Sequence, residues 1–170
     1  MLNRIAIVIV LLVSGCTFGF DGSVPLTVVV GTPTGGDVGT VTRVIDGDTI
    51  DVTINGQPFT VRYIGVNTPE RNEACYSEAR NANAALVQGQ IVQLVRDVSD
   101  TDRFGRLLRY VYVGGTFVNS TLVQQGWAEA AAYPPDIAFQ STFEQLEAQA
   151  QAANLGCHPT GIFNDGSTTR

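Results

Sequence analysis

From Gly39 onward, apolar and polar residues alternate in short stretches bounded by glycine or asparagine. GTVTRVID and DTIDVTI read as two strands paired through an Asp46-Gly47 turn. Asn55-Gly56 then turns the chain into PFTVRYIGV, which completes a three-strand meander. The spacing changes to a helical one in SEARNANAALVQ, with Ala79, Ala82 and Leu86 on one face. QIVQLVRDV and RLLRYVYV are strands around the polar loop SDTDRFGR, and Gly114-Gly115 turns the chain again. NSTLVQQG reads as a short helix with Asn119 as its N-cap and Gly126 just past its end. A longer helix follows in STFEQLEAQAQAANLG. There Ser141 and Glu144 predict a capping box, and Phe139, Phe143, Leu146 and Ala150 line one face.

Five strands in meander order plus three helices predict an α+β chain that is mainly β, a five-stranded barrel of the OB type. The barrel domain is expected over residues 39–163, with 164–170 as a tail. Residues 16–38 are rich in Gly, Thr, Pro and Val and read as a flexible tether. Before them, residues 1–15 hold an apolar run from Ile5 to Val13 that is too short to cross a bilayer as a stable helix. With VSGC behind it, the run resembles a lipoprotein signal peptide, in which Cys16 becomes the first mature residue and carries lipid. The alternative is an uncleaved anchor. Either reading puts the domain outside the cytoplasm, at the cell surface or secreted.

That compartment bears on the cysteines. Cys75 and Cys157 form an even pair, and outside the cell such a pair predicts a disulfide, here closing about 80 residues. Two free thiols are the alternative. No Cys-x-x-Cys occurs and His158 is the single histidine, which excludes Cys/His metal sites and weighs against histidine-based catalysis.

Charge changes the picture further. The net charge is −6, yet all ten cations are arginine and none is lysine. An acidic chain argues against diffuse electrostatic binding of nucleic acid, so any polyanion must be held at a local site. Arginine is suited to that grip, because its planar fork pairs with phosphate at two points. The acids are concentrated in RVIDGDTIDV. There Asp48 shares strand parity with Ile50, Val52 and Ile54, which aims a carboxylate at the apolar side, a costly place without a cation or donors. Arg62 shares parity with Ile64 and Val66 in VRYIGVNTPER, and Arg103 and Arg106 flank a glycine in DTDRFGR. Singly these are ordinary surface or turn features. Together they provide oxygen ligands, a spare carboxylate and arginines, the components of metal-assisted attack on a phosphodiester.

The stretches IDGDT, VRYIGVNTPE, DTDRFGR, FVNSTLVQQGWA and EAQAQAANLG occur in the order and near the spacing of the staphylococcal (thermo)nuclease family, which this chain resembles from about Val41 to Leu155. The resemblance implies an OB barrel with three helices and a Ca²⁺-dependent nuclease acting on DNA and/or RNA. It would cleave on the 5′ side and leave 3′-phosphates. It makes Asp48 a calcium ligand, Thr68 a ligand through its backbone carbonyl, and Asp46 a support just outside the metal. Glu70 becomes the residue that activates or orients water, and Arg62 and Arg106 grip the phosphate. Asn67 stands where the family has a second carboxylate ligand. Phe104 replaces a tyrosine, and Arg103 stands where lysine is frequent and retains a substrate-binding charge. Tyr133 is either a base-stacking ring or an ordinary half-buried tyrosine, and Trp127 reads as core. The alternative function is a weak or inactive barrel that only binds nucleic acid, an idea kept open by Asn67. A monomer with no protein partner is expected.

Overall fold

The computed structural model describes residues 34–164. The expected signal segment, Cys16 and most of the tether lie outside those residues. Strand β1 (Asp37–Val44) begins two residues inside the stretch read as tether and pairs antiparallel with β2 (Thr49–Ile54). Asn55 and Gly56 both take positive φ, 50° and 81°, as a tight hairpin needs, and lead into β3 (Gln57–Tyr63). The first turn differs from the expected tight Asp46-Gly47 hairpin. Residues 45–48 form a wider loop in which the amides of Ile45 and Asp46 both donate to the Thr49 carbonyl. The extra room is what the site occupies.

The third strand is also shorter than predicted. It stops at Tyr63, and the chain reverses at Gly65, where φ is +77° and an added Cβ would lie 2.6 Å from the Phe143 ring. A short β4 (Val66–Asn67) then pairs with β8 (Glu129–Ala130) in a separate two-stranded ladder. Helix α1 (Tyr76–Val87) follows, then β5 (Ile91–Val95), β6 (Leu107–Val113), β7 (Thr116–Phe117), α2 (Val118–Gln124) and α3 (Gln140–Ala152). The main sheet runs β3-β2-β1-β5-β6-β7, and β3 also pairs with β6 in parallel. That last pairing closes β1, β2, β3, β5 and β6 into the predicted five-stranded barrel.

Inward-facing residues of the strands fill the barrel: Val41, Val44, Ile50, Val52, Val61, Val92 and Leu94 are all buried, with a register shift in β1 between Val41 and Arg43. The α3 face predicted from its spacing is real. Phe143, Leu146 and Ala150 are buried, and Phe139 and Phe143 join Tyr110 and Phe117 in an aromatic cluster, with Tyr110 edge-on to Phe139 at 4.8 Å. On α1 the buried line is Ala79, Asn83 and Val87, one position round from the expected face. Trp127 is half-buried and packs against the core.

Two expected caps are absent. Asn119 lies inside α2 rather than before it, and its side chain is fully buried. It accepts from the Val111 amide at 2.9 Å and donates to the Ile64 carbonyl at 2.9 Å, so it braces β6 against the Gly65 reversal. Helix α3 starts at Gln140 with no side-chain cap, which removes the Ser141–Glu144 box. Gly126 does end α2: its amide donates to Val123 and that of Trp127 to Leu122, the paired bonds of a Schellman close. The predicted disulfide is present, with Cys75 at the head of α1 and Cys157 82 residues on and their Cα atoms 5.6 Å apart.

Candidate active site

The wide loop at residues 45–48 exists because of Gly47. A Cβ there would sit 2.7 Å from three side-chain atoms of Thr68, so only glycine lets the two segments touch. The contact brings Asp48 against Thr68, whose amide and hydroxyl donate to Asp48 Oδ2 at 2.9 and 3.0 Å. The Thr49 hydroxyl donates to Oδ1 at 3.1 Å. Arg62 Nη1 lies 3.2 Å from Oδ2. Asp48 is thus buried, as its parity with Ile50 predicts, and its charge is met on both oxygens.

Arg62 is buried for a different reason from the one expected. Register pairs it with Thr49 and Leu108, on the face opposite Ile50 and Val61. It is covered because the chain after Gly65 folds back over it: Nη1 donates to the Tyr63 and Val66 carbonyls at 3.0 and 2.9 Å. Nη2 reaches Asn67 Oδ1 at 3.4 Å. The guanidinium is therefore aimed by backbone before any ligand arrives.

Asn67 is fully buried and its amide nitrogen donates to Glu129 Oε1 at 2.8 Å. A carboxylate accepts and does not donate, so this bond fixes which way the amide faces: Oδ1 points toward Arg62. Glu129, itself 5% exposed, is a site residue that sequence reasoning missed. A glutamate at an alternating position in a short strand gives no local sign of it, because its partner is 62 residues away. The second carboxylate is thus present in the site, one hydrogen bond behind Asn67.

Asp46 supports the loop by accepting the Asp48 amide at 3.1 Å. Burial, reinforced by the neighbouring Asp48 charge, pushes its carboxyl up to about 7. Asn83 Nδ2 holds the Asp46 carbonyl at 3.0 Å.

Arg106 arrives from the other side, at the start of β6. Asp102 shapes its loop by accepting the Phe104 and Arg106 amides at 2.8 and 3.0 Å, and Gly105 takes φ +80°. The same carboxylate accepts Arg106 Nε at 2.6 Å. Burial alone would raise Asp102, but the bonds from Arg106 and Phe104 hold it below the usual carboxylate range. Phe104 is 69% exposed, with the Arg103 and Arg106 guanidiniums 4.7 and 5.4 Å from its ring centre. Arg62, Arg103, Phe104, Arg106 and Tyr133 line one groove of about 480 Å³. Burial raises the Tyr133 phenol, with Arg62 opposing and Asp48 reinforcing that shift.

The predicted residues thus fall into three places. Asp46, Asp48, Arg62, Asn67 and Thr68 share one network, and Arg62, Arg103, Arg106 and Tyr133 share the groove beside it. Glu70 stands apart on the exposed loop after Pro69. Its amide donates to the Glu73 carboxylate at 2.7 Å, and its own carboxylate has no partner among the described residues. No group of three His, Cys, Asp or Glu side chains able to hold a metal occurs among the described residues, so a cation here would depend on amide and backbone oxygens as well.

A closed five-strand barrel with arginines at its closing seam and a buried aspartate beside them defines a family. Residues 60–157 match the model of the staphylococcal nuclease homologue family, and the chain belongs to it. It is 41% identical over 124 residues to the SPbeta prophage-derived endonuclease YokF of Bacillus subtilis, a match over 68% of this chain and 42% of that protein. It is 42% identical over 124 residues to the endonuclease YncB of the same organism, over 68% of this chain and 59% of that one. The thermonuclease of Staphylococcus hyicus is 38% identical over 117 residues, 65% of this chain and 69% of its own length. The chain thus spans about half the length of the two Bacillus relatives.

Proposed function

We propose that the protein is a Ca²⁺-dependent nuclease that hydrolyses phosphodiester bonds in DNA and/or RNA to 3′-phosphate products, acting outside the cytoplasm on a lipid anchor at Cys16. The observation that carries the reading is Arg62, buried against Asp48, held by backbone carbonyls and lining a groove shared with Arg106. Names of the relatives point the same way, since those quoted above are called endonucleases or a thermonuclease.

The donor set fits calcium. Asp48, the Asn67 amide oxygen, the Thr68 carbonyl and the nearby Asp46 are all oxygen donors, and Ca²⁺ takes such mixed ligands in loose geometry. Burial and the neighbouring Asp48 charge hold the Asp46 carboxyl up at about 7, a shift that a divalent ion beside it would oppose. When bound, calcium would neutralise phosphate charge and place a water beside it. The protein supplies the rest. Arg62 and Arg106 hold the phosphate oxygens and meet the extra negative charge of the five-coordinate transition state. Glu70, unpartnered and solvent-facing, takes the proton from the attacking water. Phe104 and Tyr133 offer ring faces to bases in the groove.

The test is degradation of single-stranded DNA and of RNA by the purified protein with Ca²⁺ or with EGTA, beside Glu70→Ala. Cleavage should need Ca²⁺, and the substitution should slow it by about 10²–10⁴-fold, the usual contribution of a general base. Intact DNA and RNA after incubation with excess Ca²⁺ would sink the proposal, and binding without cleavage would favour the non-catalytic barrel.

A further inference from the structure

A second groove of about 490 Å³ lies between the end of β1 and the start of α1. Arg43, Arg71 and Arg80 line it with Tyr76, Ser77 and Asn81, and no acidic residue does. Such a concentration of one sign is unexpected in a chain of net charge −6. Half of the described arginines are neutralised: Arg43, Arg62, Arg106 and Arg109 each pair with at least one aspartate. Among the described residues Arg71, Arg80, Arg96 and Arg103 pair with none, and two of those four face this one groove.

Each guanidinium is placed differently. Arg80 is fixed: Nε and Nη2 donate to the Ile45 and Val44 carbonyls at 3.2 and 3.1 Å, bonds that satisfy donors without cancelling charge. Its Nη1 has no partner among the described residues. Arg71 is exposed on the loop directly after Glu70. Arg43 holds Asp51 through a surface pair with its own side chain 69% exposed, the kind of pair worth little and readily exchanged. The groove also touches the active site at two points in sequence. Ile45 precedes Asp46, and Arg71 follows Glu70.

We propose that this arginine groove is a second phosphate subsite, which takes a neighbouring phosphodiester of the same single strand whose scissile phosphate lies at Arg62 and Arg106. The inference rests on the nucleic-acid substrate of the proposed function. Arg71 and Arg80 have no acidic partner among the described residues and Arg43 holds Asp51 only at the surface, so a phosphate here meets uncancelled charge while accepting paired N–H donors. Tyr76 adds a ring wall beside them, suited to a base or sugar face. The two grooves then grip one strand on both sides of the metal loop.

The test measures binding of a fluorescent single-stranded oligonucleotide of about a dozen nucleotides as a function of salt. It uses the Glu70→Ala background with Ca²⁺ present, so that the strand stays intact. Arg71→Ala and Arg43→Ala avoid Arg80, whose loss would free the end of β1. Each should weaken binding about fivefold and flatten the slope of log K against log salt by roughly 0.7, one phosphate contact on single-stranded nucleic acid. Arg96→Ala, exposed and outside both grooves, removes the same charge and should change neither. An unchanged slope in the double variant Arg43→Ala/Arg71→Ala overturns the subsite, as does an equal loss in Arg96→Ala. Cleavage by the protein with Glu70 intact is followed in parallel. Cleavage with an unchanged slope defeats only the subsite; a flattened slope without cleavage keeps the subsite and defeats the hydrolytic reading; a protein that neither binds nor cleaves defeats both.

Discussion

At the scale of single residues, Asn67 and Glu129 invert an expectation. Aspartate at position 67 would restore the family's carboxylate, yet here it would face Glu129 at 2.8 Å in a fully buried place. Two carboxylates that close cannot both ionise without a cation between them. Asn67→Asp should therefore lower the stability of the calcium-free protein, and Asn67→Asp/Glu129→Gln should recover most of the loss. Urea denaturation in EGTA reads the coupling, expected at about 0.5–3 kcal/mol for residues in contact. Additive effects of the two substitutions would show that the hydrogen bond does not link them.

At the scale of elements, the turn after α3 carries a pH-sensitive group. His158 sits in a 3₁₀ turn, 8% exposed and edge-on to Phe163, and its Nε2 has no hydrogen-bond partner among the described residues. Burial holds its imidazole below the ordinary value of 6.5. The unfolded chain therefore takes up this proton first on acidification. The group's contribution to stability is present above 6.5 and is lost as pH falls through the depressed folded value. His158→Phe keeps a ring against Phe163, and its melting temperature should fall less than the parent's between about pH 7 and about pH 5. An equal fall would assign the acid limb to carboxylates alone.

What the sequence revealed at this scale follows from how local each signal is. Strand alternation, the Asn55-Gly56 hairpin, the Gly126 close and the α3 stripe depend on neighbours in the chain, and they were legible. The Asn119 cap is absent because its side chain takes tertiary partners, and the Ser141 cap because α3 already starts at Gln140. Asn119 bridges Val111 to Ile64 instead of capping its own helix. Asp48 was legible from parity. Arg62 is buried, but not for the parity reason, since Gly65 breaks the strand on which that parity depends. The Glu129 partnership and the basic groove on α1 join distant segments, and nothing local announces either.

At the scale of the whole molecule, the Cys75–Cys157 bond ties the head of α1 to the turn after α3 and closes a loop that holds the three helices and two of the five barrel strands, β5 and β6. Chain-entropy arguments give a loop of this length about 4 kcal/mol. The Cys75→Ser/Cys157→Ser variant should therefore melt on the order of 10 °C lower. A melting temperature unchanged by the double substitution would mean that the core alone sets stability.

The barrel closes where β3 meets β6, with Arg62 beside Leu108 and Val61 beside Leu107. Both arginines proposed to grip phosphate belong to that seam: Arg62 lies on its first strand, and Arg106 immediately precedes its second. A strand of nucleic acid held by both would act as a clasp across the join, laid over the parallel pairing that closes the cylinder. The substrate would then be part of the architecture while it is bound, fastening the cylinder at its seam and releasing it with each product.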